Sequence, residues 1–311
     1  MTPRVVVLRP LGLGDFLTGV PAYRALARAF PEHRRLLAAP RALHPLLELV
    51  GGALDGAYDV QPLVTLSEAL CGADVAVDLH GRGPASQRIL SASLPRRLIS
   101  FAHPDVPSSA AGATWYAGEH EVARWCRMLA TAGVPADPSE LDIDVPHQIP
   151  PEDWRGATVV HPGAASAARQ WPVERWTEVV RQRLRRGERV LLTGGPHERS
   201  LTQEVAARAG LPRANDLAGR TSLLELAADD TIAGRVVCGD TGVAHLATAY
   251  RKPSVVLFGP VPPAEWGPPA RPQHHALWAG RRGDPHAAAV DAGLLAIATE
   301  QVVAALDRLT A

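Results

Sequence analysis

Twice along this chain, short apolar runs alternate with longer stretches of helical period. Runs this short, bounded by Gly, Pro or polar residues, suit strands buried on both faces, and such strands with helices between them specify a parallel α/β sheet. In the first half the pattern predicts strands over Arg4–Arg9, Leu36–Ala39, Ala73–Leu79 and Arg96–Phe101, and helices over Phe16–Phe30, Ala42–Val50, Ala85–Ser91 and Glu119–Ala132. A stretch from Pro135 to Gly156, rich in proline and acidic residues, interrupts the alternation. It resumes with strands over Ala157–His161, Arg189–Thr193, Arg235–Cys238 and Ser254–Phe258, and helices over Val173–Arg186, Glu198–Ala209, Ser222–Ile232 and Val243–Thr248. Gly259–Ala288, dense in Pro, Gly and His, reads as loop with one short strand near His275–Trp278, and a helix over Thr299–Leu309 comes last.

At 311 residues the chain exceeds what one core usually serves. The fold class expected is therefore α/β, with two facing Rossmann-like domains over 1–147 and 157–311 and residues 148–156 linking them. Basic and acidic residues balance to a formal net charge of zero and are interspersed, which argues against nucleic acid as a partner. The three cysteines, Cys71, Cys126 and Cys238, are far apart and odd in number, as suits reduced buried thiols. No run approaches the roughly 18 apolar residues of a membrane span, and the first strand is not preceded by a secretory apolar core. The expectation is a cytoplasmic protein whose membrane contact, if any, is peripheral at the inner face.

Three strand-to-helix turns of the second half share one chemistry. Gly239-Asp240-Thr241-Gly242-Val243-Ala244-His245 puts Thr241 and Gly242 where a helix leaves its first N–H groups unpaired, beside the positive end of its dipole, a place to hold phosphate. His161-Pro162-Gly163-Ala164-Ala165-Ser166 leads to Arg169, whose planar fork suits phosphate oxygens, and to Trp171-Pro172, which reads as a packing anchor at a helix start. In Thr193-Gly194-Gly195-Pro196-His197-Glu198, Glu198 is either a favourable acid in a first helical turn or a partner for a ribose. Three such turns at neighbouring strand ends make a nucleotide pocket a better account than any one of them does.

In the first half, Leu11-Gly12-Leu13-Gly14-Asp15 follows the first strand. Asp15 can simply cap the helix, the commoner role, or take a proton from a substrate hydroxyl at the face where α/β ligands bind. Asp78-Leu79-His80-Gly81-Arg82-Gly83 ends another strand, and His80 and Arg82 are candidates for acceptor or sugar contacts, with structural roles equally open. No histidine or cysteine spacing marks a metal site, and Asp142-Ile143-Asp144 falls in the proline-rich connection.

In series, Gly14-Asp15 with Pro21, His161-Pro162-Gly163-Ala164 with Trp171-Pro172, Gly194-Gly195-Pro196-His197-Glu198, and Gly239-Asp240-Thr241-Gly242 with His245 and Leu257-Phe258-Gly259-Pro260 resemble glycosyltransferase family 9. These are the heptosyltransferases of lipopolysaccharide core synthesis and their relatives. The resemblance implies a GT-B architecture, with a last helix that often crosses back to the first domain. The donor nucleotide sugar would lie mainly on the second domain and the glycan or glycolipid acceptor on the first, with the reaction in the cleft. It implies an inverting, metal-independent transfer with no cofactor: Asp15 as general base, Gly14 with His80 and Arg82 at the acceptor or sugar, Arg169 on the donor diphosphate, Glu198 at the nucleoside, Gly194 among the donor contacts, and Asp240, Thr241, Gly242 and His245 at the phosphates. The family commonly has lysine where Arg169 stands and a hydroxyl residue where Ala165 stands, so donor contacts differ in detail.

Two other classes fit part of the pattern. A catalytically idle module that binds a nucleotide sugar would carry the same turns. A nicotinamide-dependent oxidoreductase is disfavoured, because Leu17 occupies the third glycine position of G-x-G-x-x-G and no acid follows the second strand in Leu36–Arg41.

Overall fold

The computed structural model describes residues 2–60 and 64–309, so the expected domain ends at Met1 and Ala311 lie outside it. The chain divides into two compact units, Met1–Asp144 and Val145–Ala311. Each is a five-stranded, all-parallel sheet with helices, the α/β Rossmann-like architecture that alternating apolar runs specify.

The first unit runs β1 (Arg4–Leu8), α1 (Leu13–Thr18), α2 (Val20–Ala29), β2 (Arg34–Ala39), β3 (Gly56–Asp59), β4 (Val75–Asp78), α3 (Ala85–Ala92), β5 (Arg97–Ile99) and α4 (Glu121–Thr131). Its sheet order is β3-β2-β1-β4-β5, that of dinucleotide-binding folds. The order reverses at β1, which pairs with β2 on one side and with β4 on the other, Leu8 opposite Asp78. A ligand crevice therefore forms where the carboxyl ends of β1 and β4 diverge.

The helix expected over 16–30 is two helices broken at Gly19. Pro21 has no N–H to donate and its ring displaces the carbonyl four residues back. Gly19 also lacks the Cβ that would meet the Tyr23 hydroxyl at 2.5 Å. Residues 41–50, expected as an α-helix, form a 3₁₀ helix with Pro45 inside it. The segment before Asp144 stays with the first unit: the Glu140 carboxylate accepts from both Arg28 Nη atoms at 2.8 and 2.9 Å, and Asp144 N donates to Leu49 O.

The second unit runs β6 (Thr158–His161), α5 (Val173–Arg185), β7 (Val190–Leu192), α6 (Arg199–Ala209), α7 (Leu223–Ile232), β8 (Arg235–Gly239), α8 (Gly242–Ala249), β9 (Ser254–Phe258), α9 (Pro263–Trp266), β10 (His274–Trp278), α10 (Ala292–Leu295) and α11 (Thr299–Arg308). Its order, β10-β9-β8-β6-β7, is the other common winding, with the switch between β6 and β8. The two halves thus share an element sequence and differ in how it is wound.

One core cluster of this unit joins the sheet to α5 and α11. Val160, Val190, Val237 and Val255 from the sheet meet Val179 and Val180 of α5 and Val302 and Leu306 of α11. Val302, Val303, Ala305 and Leu306 of α11 are part of that core. Trp171 is 2% exposed, stacks edge-on against Trp176 at 5.0 Å between centroids, and donates Nε1–H to Ile297 O at 3.2 Å, the packing anchor expected of it. Among the described residues no helix is long and apolar enough to cross a membrane.

Candidate functional site

In the second unit, the β6–β8 switch brings the ends of His161 and Gly239 side by side, since His161 lies in register with Cys238. The His161–Arg169 and Gly239–His245 turns therefore flank one crevice at the sheet's carboxyl edge, and the Thr193–Glu198 turn follows on β7 beside β6. These are the candidates the topology gathers.

Glu198 is fixed from two sides. Its Oε2 accepts from Gly195 N at 2.7 Å and lies 3.7 Å from His161 Nε2. His161 is 8% exposed, shares a 3.0 Å hydrogen bond between Nδ1 and Thr193 Oγ1, and burial lowers its pKa below the usual imidazole range. Gly163 and Gly194 make room: a Cβ at 163 would sit 1.9 Å from Glu198 Oε1, and one at 194 would lie 3.2 Å from Glu198 Cβ.

Arg169 ends a 3₁₀ turn over Ala167–Arg169 and leans on Asp240, Nη1 being 3.7 Å from Oδ2 and 3.5 Å from the carbonyl. Contacts this long leave the guanidinium able to turn toward an anion. Thr241 is the N-cap of α8, extended at φ −144° and ψ 172°, and its side chain does not cap the helix. Its Oγ1 is buried with no nitrogen or oxygen partner, next to the Cys238 thiol. A buried hydroxyl left that way at a helix N-terminus is a donor waiting for an acceptor. Gly242 is the first residue of α8, and His245, one turn on, packs edge-on against Trp266 at 6.0 Å.

The His161–Arg169 loop is itself pinned by the C-terminal segment. Ser166 Oγ donates to Pro285 O at 2.6 Å, and Asp291 N donates to Ala168 O at 3.1 Å.

In the first unit, α1 begins at Leu13, so Asp15 is its third residue rather than its cap, and its Oδ2 reaches back to accept from Gly12 N at 3.1 Å. Gly14 occupies the second helical position, and the Asp15 side chain is 24% exposed. At the end of β4, Asp78 is fully buried; its Oδ1 accepts from His80 N at 2.9 Å and its Oδ2 from Ser86 Oγ at 2.7 Å, and burial pushes its pKa up to about 6. His80 is held neutral by burial first and by the Arg9 cation second, and its Nδ1 is buried without a partner. Arg82 stands apart: its side chain is exposed, and its carbonyl accepts from Gln87 Nε2.

Sequence reasoning passed over Arg9 and Glu121, and gave His161 a place in its turn but no role. Arg9 ends an apolar strand as the cation next to the glycine turn, and that position was the available signal. Glu121 had none, being 112 residues away along the chain. Cys71 lies half-exposed rather than buried. Among the described residues no three His, Cys, Asp or Glu side chains come together as a metal site.

Comparison with known proteins bears on the family and the fold. The family model of glycosyltransferase family 9 (heptosyltransferase) matches residues 112–292, more than half of the chain. Lipopolysaccharide heptosyltransferase 1 of Pseudomonas aeruginosa is 31% identical over 162 residues, 51% of this chain and 45% of that protein. Lipopolysaccharide heptosyltransferase 2 of Salmonella typhimurium is 30% identical over 112 residues, 35% of this chain. The match spans only 32% of that relative's own length. In fold, the solved E. coli ADP-heptose lps heptosyltransferase II superposes with a TM-score of 0.76 at 19% identity, covering 98% of this chain and 97% of that one.

Proposed function

The chain belongs to glycosyltransferase family 9, the heptosyltransferase family, and we propose that it transfers a sugar, heptose or a relative, from a nucleoside-diphosphate donor to a hydroxyl of a glycan or glycolipid. The observation that supports this best is the Thr241 hydroxyl, buried at the N-terminus of α8 without a nitrogen or oxygen partner, with Arg169 loosely held beside it through Asp240. Arg169 has only long contacts and the Thr241 hydroxyl has no nitrogen or oxygen acceptor, so an anion would give each a shorter one.

In this reading the second unit binds the donor. Glu198, with Gly194 and Gly195 clearing space around it, accepts from the ribose hydroxyls. Thr241, the Gly242 end of α8 and Arg169 take the diphosphate, with Asp240 orienting Arg169 and His245 closing the turn. The first unit supplies the base: Asp15 accepts the proton of the acceptor hydroxyl as its oxygen attacks the anomeric carbon. The bond from that carbon to the diphosphate oxygen breaks, and the electron pair leaves with the nucleoside diphosphate, stabilised by Arg169 and the helix N–H groups rather than by a metal ion. Attack opposite the leaving group inverts the anomeric centre. His80 and Arg82 serve the acceptor or the sugar, and a glycolipid acceptor would bring the protein to a membrane surface peripherally.

ADP-heptose, the donor in the name of the E. coli protein of like fold, is the first donor to test. Thermal-shift screening against ADP-, GDP-, UDP- and dTDP-sugars should show stabilisation by ADP-heptose, and stabilisation by none would sink the reading. Transfer from ADP-heptose to a heptose-deficient lipopolysaccharide, lost in Asp15→Ala with donor affinity kept, separates an enzyme from an idle binding module. A nicotinamide site draws no support, since β2 runs into Ala39-Pro40-Arg41 without an acid.

A further inference from the structure

We propose that Arg9 is the positioning residue of the proposed base: it fixes the first turn of α1 and the Asp15 carboxylate from beneath. This rests on the reading of Asp15 given above. Arg9 is 1% exposed at the end of β1, and its guanidinium reaches every neighbour that shapes the turn. Nε donates to the Asp15 carbonyl, Nη1 to the Leu79 carbonyl, and Nη2 to Thr18 Oγ1 at 2.9 Å and Glu121 Oε1 at 3.2 Å. Thr18 Oγ1 in turn donates to the same Asp15 carbonyl at 3.0 Å. The cation also lies over the Trp125 ring, 5.1 Å from its centroid.

Charge balance explains why this arrangement orients Asp15 without neutralising it. Glu121, 4% exposed and held by Trp125 Nε1 and Arg124 Nη1 at 2.8 Å each, is the close partner of Arg9. The Asp15 carboxylate stands off at 3.8 Å through Oδ1 while Gly12 N fixes Oδ2. A tight ion pair would draw the base inward; a backbone clamp with a stand-off charge sets its direction and leaves it able to accept a proton. The same guanidinium, through Leu79 O, ties this turn to the end of β4 that carries His80.

The test uses the full chain with ADP-heptose as donor and heptose-deficient lipopolysaccharide as acceptor, and ADP affinity measured by calorimetry. Arg9→Met is paired with Glu121→Gln, which keeps the Trp125 bond and leaves Arg124 its carbonyl partners on Tyr116 and Glu119; Arg9→Lys, which keeps the charge but can make fewer bonds, is the second variant. The double variant should lose about a hundredfold in kcat, as a misplaced catalytic group does, with ADP affinity and donor KM unchanged, and Arg9→Lys should fall between. A kcat within twofold of the parent in a folded double variant, while Asp15→Asn is inactive, overturns the role of Arg9 alone. Equal losses in kcat and ADP affinity, tracking a lower Tm, also overturn it, as they would show a merely structural residue. An active Asp15→Asn, or an inert parent, overturns the reading of Asp15 and this inference with it.

Discussion

Glu198 lies so close to Gly163 that a Cβ on residue 163 would sit 1.9 Å from its Oε1. Two turns on neighbouring strands therefore interlock through one carboxylate and one missing side chain. Gly163→Ala should push the carboxylate off Gly195 N and weaken ADP binding by about tenfold, roughly the net worth of one charged hydrogen bond. Calorimetry on the folded variant reads this directly, and unchanged affinity would remove Glu198 from the donor site.

Thr241 offers the opposite test of sign. Its hydroxyl is buried without a nitrogen or oxygen partner, so Thr241→Val should leave stability unchanged or raise it slightly, because a desolvated polar group is removed. Donor affinity should fall by about tenfold in the same variant. Loss of both would mark the hydroxyl as structural.

A pair of carboxyls at the end of α7 predicts how stability follows pH. Asp229 is pushed up to about 7 by burial and then by Glu225, and Asp230, fully buried with both oxygens unpartnered, is raised further by burial and by Asp229. Unfolded, both would ionise near pH 4. Each is therefore neutral in the folded protein across a range where the unfolded chain has released its proton, so the contribution of this pair to stability is greatest below about pH 4 and declines as pH rises to about 7 and beyond. Asp229→Asn should flatten this decline and raise Tm at pH 8 by about 5 °C, with little change at pH 4. A melting series across pH decides it, and an unaltered slope would show that Asp229 has the same proton affinity folded and unfolded.

Trp171→Ala should cost about 3–5 kcal/mol by denaturant unfolding, through the cavity left against Trp176 and the loss of the bond to Ile297 O. Because the same residue anchors the end of the Arg169 loop, donor affinity should fall as well. A loss under 1 kcal/mol would mean that the site collapses around the gap.

The strands and long helices were legible because their burial is periodic: Arg4–Leu8 and Ser254–Phe258 lie within a residue of where apolar runs put them. β3 was not, since Gly56-Ala57-Tyr58-Asp59 is an edge strand only half buried and lacks an apolar run. The break at Gly19 was hidden because helical period continues through it on both sides. The phosphate-type turns could be read from glycine and polar residues after each strand. Arg9 could not, since its role depends on Leu79 and Glu121, which the sequence places 70 and 112 residues away.

The clamp of Ser166 on Pro285 and of Asp291 on Ala168 ties the Arg169 loop to a segment more than a hundred residues later. During synthesis, a nascent chain that has emerged as far as β9 already displays every glycine turn of the second unit, yet lacks these anchors. On the donor-site reading proposed above, competence to bind a nucleotide sugar then arrives late, once residues 285–291 have left the ribosome. In the finished protein the loop is already ordered, so little conformational entropy is lost when the donor enters.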